Sequence, residues 1–227
     1  MTDQSSTTPK ADALFLVPRA ARIAQSYRGA PKRVLDVVLS IVLLPIILPV
    51  ILIFYVAVRL EGGSGFFGHR RIGRKGQVFT CWKIRTMVPD ADKKLTDLLR
   101  QSPAARRAWD KDSKLQNDPR VTKLGVFLRE TSLDELPQIW NVLRGEMSLI
   151  GPRPVTAPEL ERYGTHQRAY LSLRPGVTGL WQVSGRNDVS YDMRVEMDAR
   201  YARDVSFTSD VRILFQTAGA VTNRTGC

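Results

Sequence analysis

The chain has 227 residues, 43% of them hydrophobic, which is enough for a domain with a packed core and excludes a disordered tail. A formal charge of +12 implies an anionic partner: nucleic acid, acidic lipid headgroups or a phosphorylated substrate. Two distant cysteines exclude a disulfide scaffold and favour a reducing cytosolic face, and the two histidines have no neighbouring thiol, so any metal should be bound by oxygen.

Residues 1–30 are rich in Ser, Thr, Ala and Arg and lack the apolar core of a cleaved signal, so we expect a flexible cytosolic leader. Residues 31–60 carry an uncharged apolar run, Val37 to Val58, long enough as a helix to reach across roughly 30 Å of hydrocarbon. Pro45 and Pro49 should bend that helix near its middle.

Basic residues flank the apolar run on both sides, and positive segments prefer the cytoplasm. A helix that enters the membrane, bends at the prolines and returns to the same face would keep both clusters there. The residues alone leave this re-entrant path and a kinked span as open alternatives.

Residues 61–227 have the character of a cytosolic catalytic domain. Residues 66–87 predict two short strands around a basic glycine turn, Gly73 to Gly76. Helical spacing follows at 90–100, 104–114 and 121–129, and residues 136–143 predict a buried helical stripe that includes Trp140. The predicted fold is α+β and mostly helical, with a short β-hairpin.

Adjacent carboxylates, Asp134 and Glu135, stand out in an arginine-rich, turn-rich segment. One interpretation is structural, because Ser132 and Glu135 have the spacing of a capping box. The other is chemical: neighbouring arginines (Arg129, Arg144, Arg153) should keep the carboxylates ionised, so that one could attack as a nucleophile while the other holds a divalent cation.

Several basic residues are suited to phosphate. Arg153 lies between two prolines, which stiffen its backbone for bidentate contact, and Lys83 and Arg85 share one face at the end of a predicted strand. Glycine turns carry Arg174 and, further on, Arg186 with Asn187. Each of these motifs alone is also compatible with a solvated loop.

The order of motifs resembles the bacterial sugar transferases that act as monotopic phosphoglycosyl transferases, over about residues 32–219. The residues that carry the resemblance are KRVLD, GHRRIGRKGQVF, KIRTM, the segment from DPRVTKLG to SLIGPRP, RPGVTGLWQVSGRND and YARDVSFTSDVRILFQT. Among these enzymes the chain most resembles the small exopolysaccharide-initiating members of the ExoY type.

The resemblance implies transfer of a hexose-1-phosphate from a UDP-hexose, with galactose or glucose expected, to undecaprenyl phosphate, with release of UMP. It implies that Asp134 forms a covalent aspartyl phosphosugar, that Glu135 is associated with Mg²⁺, and that Lys83, Arg129 and Arg153 contact phosphate, with Arg186 and Asn187 at the nucleotide end. It also implies a re-entrant membrane helix broken at Pro49 or Pro45, at the cytoplasmic face of the bacterial inner membrane.

Two other functions fit parts of the sequence. A glycosyl transferase would pass the sugar alone and release UDP. A membrane-tethered scaffold or nucleic-acid-binding protein would use the basic turns as an electrostatic footprint, but the paired acids would repel a phosphate backbone, so no nucleic-acid partner is expected. The sequence leaves a homodimer open.

Overall fold

A computed structural model describes residues 26–112, 115, 118–185 and 189–222, so the predicted leader, Arg186 and Asn187 lie wholly or mainly outside the described residues. The described part is mostly helical, as expected. The elements are α1 (Ala30–Leu60), β1 (Phe66–Ile72), β2 (Val78–Ile84), α2 (Ala91–Gln101), α3 (Pro103–Asp112), α4 (Lys123–Thr131), α5 (Gln138–Arg144), β3 (Ser148–Ile150), α6 (Ala157–Glu161), α7 (Gln167–Leu171), β4 (Gly176–Thr178), α8 (Leu180–Val183), α9 (Tyr191–Asp204) and α10 (Phe207–Thr222).

Helix α1 is the one described helix long and apolar enough to cross a membrane. It begins with Pro31 in its first turn, where the missing N–H costs little, and it includes both Pro45 and Pro49 within a single helical segment. The large side chains along its middle are solvent-exposed, among them Ile46, which is 70% exposed. An exposed apolar surface of this length in a helix is typical of contact with lipid.

Both ends of α1 pack against the domain that follows it. Near its start, Leu35 and Leu39 contact the main core cluster, whose buried members include Phe79, Met147 and Ile213. Near its end, a second cluster joins α1 to strand β2 and helix α4 through the buried residues Val58, Ile84 and Leu128. The helix is therefore attached at two places, with its exposed middle between them.

A buried ion pair fixes the first turn of α1 to the last helix. Lys32 Nζ lies 2.6 Å from Asp210 Oδ2, and the side chains are 8% and 0% exposed. Tyr27 and Tyr201 donate their hydroxyls to the same carboxylate at 2.9 and 2.7 Å. Burying a charge is favourable only when it is paired and hydrogen-bonded, and this network meets that condition.

The predicted hairpin is confirmed. Strands β1 and β2 are antiparallel, with Phe66 opposite Ile84 at one end and Ile72 opposite Val78 at the other. Lys75 in the turn has a positive φ of 59°, next to Gly76 at 78°. The hairpin follows the end of α1, and its basic turn lies at the far end of the two strands.

The predicted helices at 90–100, 104–114 and 121–129 correspond to α2, α3 and α4, although positions 113 and 114 lie outside the described residues. The predicted stripe at 136–143 is partly wrong. Ile139 and Val142 are buried, but Trp140 is 56% exposed, and the polar Gln138 and Asn141 take its place inside. Asn141 can be buried because its side-chain amide is satisfied by the β2 backbone: it donates to Thr80 O and accepts from the Trp82 N–H.

Two short parallel strands, β3 and β4, bring the loop that contains Gly151 next to the loop that contains Gly176. Gly151 donates its N–H to Thr178 O at 2.9 Å, and Gly176 donates to Pro152 O at 2.7 Å. A Cβ built on Gly176 would collide with the backbone of Gly151. This close approach requires glycine and places the Pro-Arg-Pro segment beside the loop that precedes α8.

We expect Asp210→Asn to lower the free energy of unfolding by about 3 kcal/mol, because it leaves the buried Lys32 ammonium without its main counter-charge. Thermal unfolding of the purified protein in detergent measures the change. The double variant Lys32→Met with Asp210→Asn should recover part of the loss. The control is Asp204→Asn, which removes an exposed pair with Arg200 and should cost under about 1 kcal/mol. Equal shifts for the two aspartates would contradict this account of the buried pair.

Candidate active site

Residue Thr86, just after β2, positions the helix that leads to the paired acids. Its carbonyl accepts the Thr122 N–H at 3.0 Å, and its hydroxyl accepts the Arg129 Nε–H at 2.9 Å. A Cβ on Gly125 would collide with the Thr86 backbone, so α4 can approach this closely only with glycine there. Thr122 caps the helix by accepting the Gly125 N–H.

Helix α4 ends at a strained residue immediately before the acids. Ser132 adopts the left-handed conformation with φ 59°, which costs a non-glycine residue on the order of 1 kcal/mol. Its side chain makes no capping bond, and Leu133–Glu135 form a single 3₁₀ turn. The capping-box interpretation is therefore wrong, because Glu135 turns its carboxylate to a lysine on β2 instead of to the Ser132 backbone.

Lys83 joins the two adjacent carboxylates. Its Nζ lies 2.6 Å from Glu135 Oε1 and 3.3 Å from Asp134 Oδ2. The Asp134 side chain is only 8% exposed and that of Glu135 16%. The tight 3₁₀ turn thus lets two consecutive acids reach one ammonium from a partly buried position.

The two acids differ in acidity. Burial raises the pKa of the Asp134 carboxyl above its ordinary value, and Lys83 and Arg129 oppose this only in part. Burial would also raise the pKa of Glu135, but Lys83 and Arg153 outweigh it and lower that pKa to about 2. The neighbouring cations thus outweigh burial at Glu135 but not at Asp134, because Asp134 loses more hydration than its cations return.

The two carboxylates stabilise the protonated form of Lys83, which lies between them. Burial alone would lower the pKa of Lys83, but the carboxylates of Glu135 and Asp134 reverse that effect and raise it. Lys83 therefore stays an ammonium across the neutral range, a point charge suited to phosphate oxygens as well as to carboxylates.

Arg153 completes the cluster from the Pro-Arg-Pro segment. Its Nη1 lies 3.7 Å from Glu135 Oε1, and its guanidinium lies over the ring of Trp181, 5.7 Å from the centroid. Arg194 approaches the same ring at 4.7 Å. Two guanidinium groups thus lie near the indole ring of Trp181.

Asp198 was not predicted from the sequence, and it supports Arg153 from beneath. This α9 residue is 1% exposed, accepts the Tyr163 hydroxyl at 2.8 Å and accepts a hydrogen bond from the Arg153 backbone. Burial raises the pKa of its carboxyl to about 7. An aspartate at helical spacing between charged residues looks like a solvated surface position, so only its burial singles it out.

Glu135, but not Asp134, is among the residues that line a cleft gathered from distant parts of the chain. Besides Lys83, Glu135 and Arg153, its lining includes Arg71, Cys81, Gln138, Pro154, Val177 and Gln182. Arg71 and Gln182 were not predicted. Arg71 pairs with Glu159 at 2.8 Å, and this contact fixes α6 against β1.

The other predicted basic residues differ in their distance from the acids. Arg129 is close enough to Asp134 for their charges to interact, whereas Arg144 pairs with Glu146. Arg85 donates to the carbonyls of Val58 and Gly62, so its guanidinium caps the end of α1. Arg174 donates to Gly145 O and lines a different cleft, described below.

For the predicted magnesium site, the structure shows which oxygen ligands the described residues offer. Among the described residues there is no group of three or more His, Cys, Asp or Glu side chains that could hold a metal. Mg²⁺, however, commonly uses one or two carboxylates together with substrate phosphates and water. Glu135, ionised and partly exposed to the cleft, fits that pattern of oxygen ligands, with Asp134 as its neighbour.

Comparison with known proteins identifies the family of the chain. The family model described as bacterial sugar transferase matches residues 27–224. The chain is 47% identical over 217 residues to exopolysaccharide production protein ExoY of Rhizobium meliloti, covering 95% of this chain and 96% of that one. It is 50% identical over 195 residues to the undecaprenyl-phosphate galactose phosphotransferase of Salmonella typhimurium, covering 86% of this chain and 41% of that protein.

A third relative, the UDP-glucose:undecaprenyl-phosphate glucose-1-phosphate transferase of Escherichia coli, is 39% identical over 196 residues, which are 82% of this chain and 39% of that protein. The chain spans 41% of the length of the Haemophilus, Erwinia and Salmonella relatives. The family match covers most of the chain and includes every element of the cleft, so the protein belongs to the bacterial sugar transferase family.

Proposed function

We propose that this protein transfers a hexose-1-phosphate from a UDP-hexose to undecaprenyl phosphate and releases UMP. The observation that carries the proposal is the pairing of Asp134 and Glu135 on Lys83, with Arg153 beside them. Supporting it, the relatives from Salmonella typhimurium and Escherichia coli are named for transfer of galactose phosphate and glucose-1-phosphate to this carrier lipid. Two further relatives are named exopolysaccharide production protein ExoY, which supports a role for this reaction in exopolysaccharide production.

In the first step, an Asp134 carboxylate oxygen attacks the phosphorus next to the sugar. The bond from that phosphorus to the bridging oxygen of UMP breaks, and UMP leaves with the electron pair. Asp134 is buried and its ionised form is poorly hydrated, so conversion of one charged oxygen into an ester oxygen relieves an unfavourable charge.

In the second step, an oxygen of the carrier phosphate attacks the same phosphorus. The bond to Asp134 breaks, the carboxylate is restored, and a polyprenyl diphosphosugar is formed. Both displacements shift negative charge among phosphate oxygens, so positioned cations do most of the work. Lys83, Arg129 and Arg153 are the candidates for that role.

Glu135 would hold Mg²⁺ together with the diphosphate of the donor. The ion, when bound, would neutralise charge on the phosphate oxygens during each displacement. Lys83 is bonded to Glu135 at 2.6 Å, so the carboxylate that would hold the ion also orients this ammonium beside the site.

The arrangement of α1 supports a re-entrant path rather than a span. A straight 31-residue helix is about 46 Å long, and in a span its ends would emerge at opposite faces of the bilayer. Yet residues near both ends of α1 pack on one domain. We therefore propose that the bend lies in the Pro45 to Pro49 region and that the catalytic domain rests on the cytoplasmic face of the inner membrane.

Leu133 connects this membrane helix to the site. It immediately precedes Asp134 and packs against the cluster that contains Val58 of α1. The nucleophile therefore lies close to the end of the membrane segment, where a lipid-borne phosphate would be presented.

Asp134→Asn should abolish UMP release, by at least roughly 10³-fold, while the protein keeps its thermal stability, because the amide oxygen is a poor nucleophile of nearly the same shape. Rapid quenching of the wild type with UDP-galactose or UDP-glucose, followed by mass spectrometry, should reveal a hexose-phosphate adduct on the peptide containing Asp134. Asp192→Asn, an exposed change on α9, is the control. Normal UMP release by Asp134→Asn would refute the assignment, and release of UDP would indicate a simple glycosyl transferase.

Glu135→Gln should lower turnover roughly 10²-fold and raise the Mg²⁺ concentration needed for half-maximal rate by about tenfold or more. The amide removes a charged oxygen ligand but keeps the side-chain length. Titration of UMP release with Mg²⁺ measures both effects, with the exposed Glu161→Gln as control. An unchanged titration midpoint would show that Glu135 does not hold the ion.

The re-entrant path predicts that both flanks of α1 face the cytoplasm. Single cysteines at the exposed positions Ser26 and Glu61, on a background with Cys227→Ser, can be labelled in vesicles of known orientation with a membrane-impermeant maleimide. Both should react only when the cytoplasmic face is accessible, whereas opposite accessibility would establish a span. Cys81 is 2% exposed and should stay unlabelled in each case.

A further inference from the structure

A second cleft, separate from the paired acids, lies at the start of α1. We call it the arginine cleft. Its lining consists of Arg28, Gly29, Lys32, Arg33, Asp36, Arg74, Ser148, Ser172, Leu173 and Arg174. Three separate parts of the fold meet there: the first turns of α1, the basic turn of the hairpin, and the turn between α7 and β4.

The positive charge of this cleft is poorly neutralised. Lys32 is paired with Asp210, and Asp36 accepts bonds from Ser148 Oγ at 2.8 Å and from the Leu149 N–H at 3.0 Å. The four arginines bond, where they bond at all within the described chain, to neutral oxygens. Burial and the charges of Arg33 and Arg74 lower the pKa of Arg174, and the Asp36 carboxylate opposes this effect only in part.

Two of the arginines are held rigidly. Arg33 donates to the carbonyls of Val142 and Leu143 at 2.6 and 3.0 Å, and Arg174 donates through Nε to Gly145 O at 2.8 Å. These carbonyls lie at the C-terminal end of helix α5, where they lack partners within the helix, and the two guanidinium groups satisfy them. The Arg174 bond uses Nε alone, which leaves the two terminal nitrogens of its guanidinium for another oxygen ligand.

The other two arginines are adaptable. Arg74 is exposed on the hairpin turn, and Arg28 makes one long bond of 3.4 Å to Ser172 Oγ. A cleft with two fixed and two movable guanidiniums suits a tetrahedral oxyanion, because guanidinium pairs match phosphate oxygens in a bidentate manner.

We propose that the arginine cleft binds the phosphate of an anionic membrane phospholipid. The cleft opens beside Arg28 and Arg33, immediately before the apolar run of α1, where a headgroup phosphate would lie if the helix is inserted. The bound headgroup would compensate the mutual repulsion of the arginines and fix the angle at which the domain rests on the bilayer. The inference depends on membrane insertion of α1 but not on the transfer chemistry.

Native mass spectrometry of the full-length protein in a neutral detergent, titrated with phosphatidylglycerol, tests the proposal. We expect one saturable lipid adduct on the wild type, weakened at least tenfold by Arg74→Glu and by Arg28→Glu. Lys75→Glu is the matched control, since it makes the same charge change in the same hairpin turn but does not line the cleft. It should bind the lipid as the wild type does.

Competition identifies the source of the phosphate. The phosphatidylglycerol adduct should persist when equimolar inorganic phosphate or equimolar undecaprenyl phosphate is added. Displacement by inorganic phosphate would make this a free-anion site, and preferential occupancy by undecaprenyl phosphate would make it a carrier site; either result overturns the proposal, as would equal weakening by Lys75→Glu. UMP release, measured on the same samples, reports separately on the transfer chemistry.

Discussion

The ammonium of Lys83 is the interaction on which the site depends. Two consecutive carboxylates in one 3₁₀ turn, both largely withdrawn from water, would repel each other and lose hydration without a shared cation. Lys83 supplies that cation from the end of β2, and Arg153 and Arg129 reinforce it from two further segments. The result is a pair with divided properties: Glu135 strongly acidic, Asp134 with a raised pKa. Burial and the positions of the cations therefore give two adjacent acids different acidities.

The same segments also fasten the membrane helix. Strand β2 brings Lys83 to the acids and, one residue later, Ile84 to the cluster that contains Val58. At the other end, the buried pair of Lys32 and Asp210 attaches the first turn of α1 to α10. The geometry of the acid pair and the packing of the apolar helix thus depend on the same segments. A change that loosens α1 should therefore also disturb the position of Asp134.

Local patterns predicted the local elements well. The basic glycine turn between alternating strands predicted the hairpin, and the spacing of apolar residues predicted α2 to α4. Predictions went wrong where a long-range contact outweighed the local rule. Trp140 is exposed because Asn141 and Gln138 are needed inside, and Ser132 does not cap because Glu135 is drawn to Lys83. Asp198 could not be found at all, since only burial beneath the Pro-Arg-Pro segment distinguishes it from a surface aspartate.

The sequence by itself determined the family, the apolar helix and the chemical types gathered for phosphate, because these depend on residue identity and short spacing. Only the tertiary structure decided which basic residues meet the acids. Lys83, Arg129 and Arg153 lie at or near them, whereas Arg85 caps α1 and Arg174 lines the arginine cleft. The charge of a residue does not by itself determine which partner it will have in the fold. Lys83, for example, lies 51 positions from Asp134 along the chain, and only the packed fold brings such segments together.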